Sequence, residues 1–415
     1  MIRLRLKPGR EESVLRRHPW LFSGAVASTE GDGSDGQAEV VSSRGEPLGR
    51  GAYSPESQIV ARLWTFDSRP LDAELFSERF LAARRLRERV VPSETTGYRL
   101  LNSEGDGCPG VVLDRYGDVA LLELLTGGTQ AWSSELQAAA RYVFTPLRLV
   151  VRESGTARDR GRASLSGASA GAGKSGDHQR RPDSSSGLPD DERRDEDSLV
   201  PFLEEGLNFF ADLTGGQKTG FFLDQRENRA RLRADARGRS VLNLFSYSGA
   251  FSVAALAGGA TRAVDVDSSE AALALASRHR EANGLPAEDR DFVRADVFED
   301  VRRRVESRES WDIVVCDPPA FAKKRSDLER AARGYKDVNR LAMALVAPGG
   351  FLLTFSCSGL VDLDLFQKII FSANLESGSS FSFLARCGAG PDHPVSLDCP
   401  EGEYLKGLWL TKREA

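Results

Sequence analysis

The sequence predicts an α/β protein whose C-terminal half is a doubly wound parallel sheet. After Pro201, short apolar segments of strand character alternate with segments of helical spacing, which is the pattern of a parallel sheet covered on both faces. The chain has 415 residues, too many for one compact core. We therefore expect a small β-barrel at residues 1–70, a central α+β domain at 71–200 and the α/β domain at 201–415.

Composition narrows the class of protein. Hydrophobic residues make up 40% of the chain and charged residues 28%, as in ordinary globular proteins. No apolar run approaches the ~20 residues of a membrane span, and the N-terminus lacks the features of a signal peptide. We therefore expect a cytoplasmic protein with no membrane partner. The scattered cysteines and the few histidines show no paired spacing, so we expect no metal.

The predicted N-terminal barrel has two open interpretations. Segments 38–42, 49–53 and 59–64 have strand character and are separated by turn residues. Basic residues exceed acidic ones over the first twenty positions, and aromatic residues follow directly, although the net charge of the chain is −5. Such a barrel is as often a nucleic-acid module as a structural cap, and composition leaves both open.

For the central region the sequence predicts a long helix and a small sheet. Apolar residues recur at helical spacing between Pro70 and Glu94, with an arginine-rich outer face that we expect to contact RNA phosphates. Those arginines are Arg84, Arg85, Arg87 and Arg89. Strands are expected at 111–113, 119–125 and 147–151, and a helix at 135–142. Residues 154–198 are too poor in large apolar side chains to offset their ordering entropy, which predicts a disordered insertion.

Acidic residues end successive strands of the predicted α/β domain, where ligands bind in such sheets. The strands are expected at 240–245, 262–266, 292–294, 311–316 and 350–355, and the helices at 250–257, 269–283 and 328–346. The first turn has the single glycine Gly249, which disfavours a dinucleotide. Asp267 could accept both hydroxyls of a ribose, or could merely cap the next helix. Asp296 could accept from an exocyclic amine. An adenosine pocket without a phosphate cradle suggests S-adenosylmethionine.

Several long motifs carry a resemblance to a known family. They are Gly216-Gln-Lys-Thr-Gly-Phe-Phe-Leu-Asp-Gln-Arg226, Asn243-Leu-Phe-Ser-Tyr-Ser-Gly249, Asp317-Pro-Pro-Ala-Phe321, Arg333-Gly-Tyr-Lys-Asp-Val-Asn339 and Ser356-Cys-Ser358. In these the chain resembles the class I 23S rRNA (cytosine-5) methyltransferases that carry an N-terminal PUA domain, over nearly its whole length. The resemblance implies a PUA-like RNA-binding barrel, a Rossmann-like catalytic domain, S-adenosylmethionine as cofactor and 23S rRNA, naked or in a subunit precursor, as partner.

The resemblance and the strand-end acids together predict the cofactor site. Its expected residues are Gln217, Lys218, Thr219, Phe222, Asp224, Arg226, Asn243, Phe245, Ser246, Tyr247, Gly249, Asp267, Asp296, Asp317 and Pro318. The insertion at 154–198 departs from the family pattern, and the motifs on either side of it are intact. The oligomeric state stays open, with a homodimer as one alternative.

Cytosine chemistry explains why a thiol and a carboxylate would both be needed. Carbon 5 of cytosine is not nucleophilic, so a thiolate must first add to carbon 6, and Cys357 is predicted to supply it. Asp317 is predicted to hydrogen-bond the Watson–Crick edge of the base. In many RNA cytosine-5 methyltransferases a second cysteine follows the aspartate by three positions and assists product release. Here that position is Ala320, and no residue identifies itself as the base that removes the carbon 5 proton.

Three alternatives stay open at this point. Cys357 could be a buried core residue, as we expect for Cys316, which should point to the opposite face of its strand. The enzyme could methylate an amino group of adenine or guanine, although an aromatic residue would then directly follow the second proline, where Ala320 stands. The protein could also be a non-catalytic RNA-binding assembly factor, against which intact Asp267, Asp317 and Cys357 weigh.

Overall fold

The computed structural model describes residues 1–153, 199–213, 220–322 and 324–414. The insertion predicted at 154–198 and the predicted site residues Gln217, Lys218 and Thr219 lie outside the described residues. Within these ranges the strands form a six-stranded, a four-stranded, a two-stranded and a seven-stranded sheet. No helix in the described part of the chain is both long and apolar enough to cross a membrane.

The N-terminal sheet forms because its strands alternate apolar and polar residues. In the first strand Ile2, Leu4 and Leu6 are buried while Arg3 is exposed. The strands are β1 (Ile2–Leu6), β2 (Trp20–Phe22), β3 (Val26–Glu30), β4 (Gln37–Val41), β5 (Pro47–Tyr53) and β6 (Ile59–Thr65), with helix α1 (Glu12–Leu15) between β1 and β2. They pair in the order β2-β6-β5-β4-β1-β3. The side chains that alternate inward form one apolar core beneath this sheet.

The central region is a sheet packed against a long helix. Its elements are α2 (Ala73–Val90), β7 (Gly97–Asn102), β8 (Val111–Tyr116), β9 (Val119–Leu124), α3 (Gly127–Ala131), α4 (Ser133–Val143) and β10 (Arg148–Glu153). The sheet order is β10-β9-β8-β7. Helix α2 begins after Asp72, whose carboxylate accepts the Leu75 N–H at 3.0 Å, and it ends before Pro92. These signals make the helix shorter than the range predicted from its apolar spacing.

One arginine predicted to lie on the outer face of α2 is buried. Arg87 is 2% exposed, and its guanidinium donates to both carboxylate oxygens of Asp106, at 2.5 and 2.7 Å. Helical periodicity places position 87 on the face that carries Phe80 and Ala83. The prediction that Arg87 contacts RNA phosphates is therefore wrong. Arg84, Arg85 and Arg89 are exposed, as predicted.

A hairpin links the central sheet to the C-terminal half. It consists of β11 (Leu199–Glu204) and β12 (Leu207–Asp212), which pair antiparallel. Phe202 and Phe209 of the hairpin pack with Tyr116 of the central sheet and with Phe221 and Val253 of the C-terminal half. This shared apolar cluster spans three parts of the chain, so the hairpin helps to set their relative placement.

The C-terminal half is the doubly wound sheet that the sequence predicts. Its strands are β13 (Ser240–Leu244), β14 (Arg262–Asp267), β15 (Phe292–Arg294), β16 (Trp311–Cys316), β17 (Val346–Ser356), β18 (Phe381–Cys387) and β19 (Lys406–Lys412). Its helices are α5 (Arg226–Asp235), α6 (Ala250–Ala257), α7 (Glu270–Ala282), α8 (Val297–Glu306), α9 (Leu328–Leu345) and α10 (Leu363–Glu376). The order is β15-β14-β13-β16-β17-β19-β18, in which β13 to β17 run parallel and β19 runs antiparallel to both β17 and β18.

Both faces of this sheet are covered by apolar cores, which confirms the predicted layering. Leu352 of β17 faces the core built with α9 and α10, and Leu353 faces the core built with α5 and α6. The strand order reverses direction between β13 and β16. Ligands bind at such a switch point in open α/β sheets, outside the carboxyl ends of the strands.

Arg87→Met should destabilise the protein strongly, because it leaves the Asp106 carboxylate buried without its cation. Removing one partner of a buried ion pair costs about 3–5 kcal/mol. Urea unfolding followed by circular dichroism measures the effect, with Arg85→Met on the exposed face of the same helix as the control. Equal unfolding midpoints for the two variants would contradict the burial of Arg87.

Candidate active site

The carboxyl ends of β13, β14 and β16 bring three loops side by side. Leu244 pairs with Val266 on one side and with Cys316 on the other. Phe245, Asp267 and Asp317, the residues at or just after these strand ends, are therefore neighbours along one edge of the sheet. Since β17 lies next to β16, Cys357 follows at the same edge, and the predicted adjacency of these two strand ends is confirmed.

The turn after β13 holds an unusual backbone conformation. Phe245 and Tyr247 have φ angles of 58° and 47°, in the left-handed region that residues other than glycine rarely adopt. The Tyr247 N–H donates to the Oδ2 atom of Asp267 at 2.9 Å and so ties the turn to the end of β14. Backbone strain of this kind persists where surrounding contacts enforce it, and it clusters at ligand sites.

Asp267 is free to serve a ligand because another residue caps the next helix. The N-cap of α7 is Ser269, whose hydroxyl accepts the Ala272 N–H at 3.2 Å. Asp267 receives one backbone N–H on each oxygen, from Tyr247 and from Ser269. A carboxylate has about four acceptor positions, so capacity is left for two hydroxyl groups. This arrangement favours the ribose role over the capping role.

A buried hydroxyl in the same turn also points to a ligand. The Oγ atom of Ser246 is buried and has no hydrogen-bond partner among the residues that the structure describes. Buried polar atoms normally have a partner, so an orphaned hydroxyl beside Asp267 marks a polar position that a bound molecule could satisfy. The carboxylate, the hydroxyl and the lack of a glycine-rich phosphate cradle fit an adenosine.

Asn243 lies beneath the turn, in a fully buried polar network. Its Nδ2 donates to Asp265 at 2.8 Å, and the same carboxylate accepts from Ser252 at 2.6 Å and from Arg280 at 2.5 Å. A Cβ atom at Gly249, whose φ is 68°, would lie 3.1 Å from this carboxylate and 2.7 Å from Ala276 Cβ. We interpret Asn243 and Gly249 as supports of the turn, since neither presents a free polar group to a ligand.

An aromatic row lines the edge beyond Asp296. Asp296 is exposed and caps α8 by accepting the Glu299 N–H at 3.1 Å. The rings run from Phe245 to Phe298 at 6.2 Å, from Phe298 to Phe321 at 6.0 Å and from Phe321 to Tyr335 at 4.6 Å. Sequence reasoning missed Phe298, although its place in the first turn of the helix after Asp296 was a usable signal.

Asp317 is oriented by a buried glutamine that sequence reasoning also missed. The Gln225 Nε2 atom donates to Asp317 Oδ2 at 2.8 Å, and Gln225 Oε1 accepts from Asn228 at 2.6 Å. The amide is thereby fixed in one orientation. Gln225 lies between two predicted site residues in the same motif, which was the available signal.

The Cys357 thiol lies beside the loop that begins at Asp317. Its Sγ atom is 4.0 Å from the carbonyl oxygen of Pro318. Cys357 is partly exposed at the sheet edge, whereas Cys316 is fully buried in the core, as predicted. Burial raises the pKa of the Cys316 thiol, so that thiol is unsuited to attack. The arrangement can therefore bring one accessible thiol and one carboxylate to the same small molecule or base.

The described part of the Gly216–Arg226 motif contacts the first turn on one side and the C-terminal segment on the other. The Phe222 ring packs edge-on against Tyr247 with centroids 5.2 Å apart, at the first turn. Asp224 accepts from the Tyr404 hydroxyl at 2.6 Å, and Arg226 donates to Asp392 at 2.8 and 3.1 Å. Because both charged side chains are engaged with the C-terminal segment and are buried, we interpret them as supports of the site.

His279 ties the first turn to the hairpin. Its Nδ1 lies 2.8 Å from the Ser248 carbonyl oxygen, and its Nε2 accepts the Phe210 N–H at 3.0 Å. These partners fit a neutral ring with its proton on Nδ1, a tautomer inferred from the network. Burial lowers the pKa of His279 to about 4, which keeps the ring neutral at physiological pH.

Comparisons with known proteins agree over nearly the whole chain. The S-adenosylmethionine-dependent methyltransferase family matches residues 151–407, and the PUA-like domain family matches residues 4–66. The chain is 41% identical over 410 residues to proteins named ribosomal RNA large subunit methyltransferase I of Yersinia pseudotuberculosis and Yersinia pestis, and the match spans 98% of this chain and 98% of each relative.

Two solved structures are similar over the same extent. One is a putative methyltransferase complexed with SAH, with a TM-score of 0.80 and 25% identity over 99% of this chain and 100% of that chain. The other is a putative SAM-dependent methyltransferase from Streptococcus mutans, with a TM-score of 0.79, 25% identity and the same coverage.

Neutral His279 should make the stability of the protein depend on pH. The unfolded chain binds a proton near the ordinary pKa of ~6.5, whereas folded His279 binds one only near pH 4. This contribution is therefore complete above about pH 6.5 and is lost as pH falls towards 4, by up to about 3 kcal/mol. Urea midpoints of wild type and His279→Gln at about pH 7.5 and 5 measure it. A wild-type advantage that is equal at both pH values would contradict the neutral ring.

Proposed function

The chain belongs to the family of S-adenosylmethionine-dependent methyltransferases, and on that premise we propose that it methylates carbon 5 of a cytosine in 23S rRNA through a covalent adduct with Cys357. The observation that carries the proposal is the meeting of Cys357 with the Asp317 loop at adjacent strand ends, 4.0 Å from Sγ to the Pro318 carbonyl. The rRNA substrate is supported by the name of the relatives and by the PUA-like domain. A cytoplasmic location follows from an rRNA substrate.

The cofactor is S-adenosylmethionine, which supplies a sulfonium methyl group when bound. Asp267 would hold the ribose hydroxyls, because its two oxygens keep acceptor capacity at the end of β14. The turn from Phe245 to Tyr247 and the ring of Phe298 would line the adenosine. Gln217, Lys218 and Thr219, which lie outside the described residues, stay predictions.

Cys357 would start the reaction by adding to the base. Its thiolate forms a bond from sulfur to carbon 6 of cytosine, and the electron pair of the carbon 5–carbon 6 double bond moves to carbon 5. Carbon 5 is then nucleophilic and would form a bond to the sulfonium methyl group, while the electron pair of the broken sulfur–methyl bond would stay on sulfur as a neutral thioether. The exposure of Cys357 at the sheet edge allows a flipped-out base to reach the sulfur.

Asp317 would hold the base while the thiolate attacks. A carboxyl group at the Watson–Crick edge can place a proton on nitrogen 3, which withdraws electrons from carbon 6 and favours addition. Gln225 keeps this carboxyl group in position by donating to Oδ2 at 2.8 Å. Gln225 therefore acts on the base only through Asp317.

Product release needs a proton to leave carbon 5. Its electron pair then restores the double bond and expels the Cys357 sulfur as a thiolate. The position of the second cysteine found in many RNA cytosine-5 methyltransferases is Ala320, so a thiol at that position takes no part here. Water in the partly open edge, assisted by Asp317, is the candidate acceptor that the described groups offer.

The N-terminal sheet and the exposed side of α2 would contact the RNA backbone. Arg84, Arg85 and Arg89 are exposed on that helix and can reach phosphates, whereas Arg87 cannot. Each phosphate contact releases counterions, so RNA affinity should fall with rising salt.

Cys357→Ala should abolish methylation, because the thiolate has no substitute. Bisulfite sequencing of unmodified 23S rRNA treated with wild-type protein should show a newly protected cytosine that the variant does not produce. Cys387→Ala, which removes the other partly exposed thiol, is the matched control and should retain the protection. Protection that persists in Cys357→Ala would rule out Cys357 as the nucleophile.

Asp267→Asn should weaken cofactor binding without unfolding the protein. Losing a charge-assisted hydrogen bond of about 1.5–3 kcal/mol predicts a rise in Kd of roughly 10- to 150-fold. Isothermal titration calorimetry with S-adenosylhomocysteine measures it, and Glu270→Gln, an exposed acid at the start of α7, controls for charge alone. Unchanged affinity in Asp267→Asn would refute the ribose role.

A further inference from the structure

A buried lysine lies directly under the turn that carries Cys357. Lys406 is 3% exposed and opens β19, where it pairs with Ser356 of β17. Its Nζ donates to the carbonyl oxygens of Ser358 and Tyr404, both at 2.7 Å. The side chain therefore reaches from the register position of Ser356 to the backbone of Ser358, the two residues that flank Cys357, and its ammonium interacts electrostatically with Cys357.

The turn from Ser356 to Ser358 is also fixed by the loop that follows β16. The Ser358 hydroxyl donates to the Ala322 carbonyl oxygen at 3.1 Å, and Ala322 belongs to the loop that begins at Asp317. Lys406 and Ala322 together fix Ser358. The thiol of the preceding residue is thereby kept at a defined place beside the Asp317 loop.

The charge of Lys406 acts on the thiol as well as on the backbone. Burial lowers the pKa of Lys406 to about 8, while Cys357, Glu403 and Asp362 oppose that shift, so the amine is mainly an ammonium at neutral pH. Tyr335 lies within electrostatic range of both Cys357 and Asp317. Burial raises the pKa of Tyr335, which keeps it uncharged. Lys406 is thus the cation among these groups.

The Lys406 ammonium group keeps one N–H donor beyond the two that its backbone partners use. It carries three N–H donors, and the carbonyl oxygens of Ser358 and Tyr404 account for two of them. A nearby cation favours the ionised form of a thiol, and the thiolate is the form that attacks.

We propose that Lys406 is a positioning residue that activates Cys357, by holding the turn from Ser356 to Ser358 and by stabilising the thiolate with its charge. The inference rests on the proposed function, in which Cys357 is the nucleophile. Lys406 keeps its proton throughout, and the thiol proton passes to water as the thiolate forms. When the adduct breaks down, the same charge stabilises the sulfur as a leaving group.

The pH dependence of Cys357 alkylation tests this inference without RNA or cofactor. The full-length protein is treated with iodoacetamide over a range of pH, and mass spectrometry of peptides separates Cys357 from Cys387. Lys406→Met should raise the midpoint of the Cys357 profile by about one pH unit and slow alkylation at neutral pH roughly tenfold. An unchanged midpoint would overturn the proposal.

Two further variants separate charge from structure. Lys412→Met removes a half-buried lysine of β19, whose Nζ donates to the Val346 carbonyl at 2.7 Å, far along the strand from the thiol, and it should leave the Cys357 midpoint unchanged. Lys406→Gln keeps amide donors for the two carbonyls without a charge. It should reproduce the raised midpoint even where Lys406→Met fails to fold, and a wild-type midpoint in Lys406→Gln would overturn the role of the charge.

Methylation rates distinguish this inference from the proposed function. In Lys406→Gln the rising limb of the pH profile of kcat should shift upward with the alkylation midpoint, and activity should recover at high pH. If Cys357→Ala still methylates rRNA, the proposed function fails while the alkylation profile still reports on Lys406. If Cys357→Ala is inactive and the alkylation midpoint of Cys357 is the same in wild type and Lys406→Gln, only the role of Lys406 fails.

Discussion

The buried carboxylate of Asp392 is the constraint on which the placement of the site depends. It accepts from Arg226 of α5 and from the backbone N–H of Arg99 on β7, and its own carbonyl accepts from Arg87 of α2. Burial alone would raise the pKa of Asp392, but His393 and Arg226 hold it well below its usual range. One charged residue therefore joins the central region to the C-terminal half, at the cost of burying several ions that must stay paired.

A short chain of contacts connects Asp392 to the proposed catalytic residue Asp317. Arg226 is fixed by Asp392, and the adjacent Gln225 is thereby set to donate to Asp317. On the other side, Lys406 and Ser358 hold the turn of the thiol. Groups that hold a reacting residue must themselves be fixed by packing and hydrogen bonds. In this protein the hydrogen bonds that fix them come from segments far apart in the chain.

Much of the fold was predictable because the signals are local. The bounds of the strands at 292–294 and 311–316 and of the helix at 250–257 agree with the structure, since apolar spacing and flanking turn residues define such elements within a few positions. The burial of Cys316 followed from strand alternation. The strands β18 and β19 were not predicted, because β19 pairs antiparallel with β17 and β18 pairs antiparallel with β19, and the β17–β19 pairing joins distant segments.

By itself, the sequence determined the doubly wound sheet, the strand-end acids and the pairing of Asp317 with Cys357 at neighbouring strand ends, because periodicity and strand order decide which residues reach one edge. Only the tertiary structure decided which polar residues face that edge and which support it. Arg87 and Arg226 carry the same charge as exposed arginines, and Lys406 the same as any surface lysine. Their roles depend on desolvation and on partners that lie 305, 166 and 48 positions away in the chain, which no local pattern records.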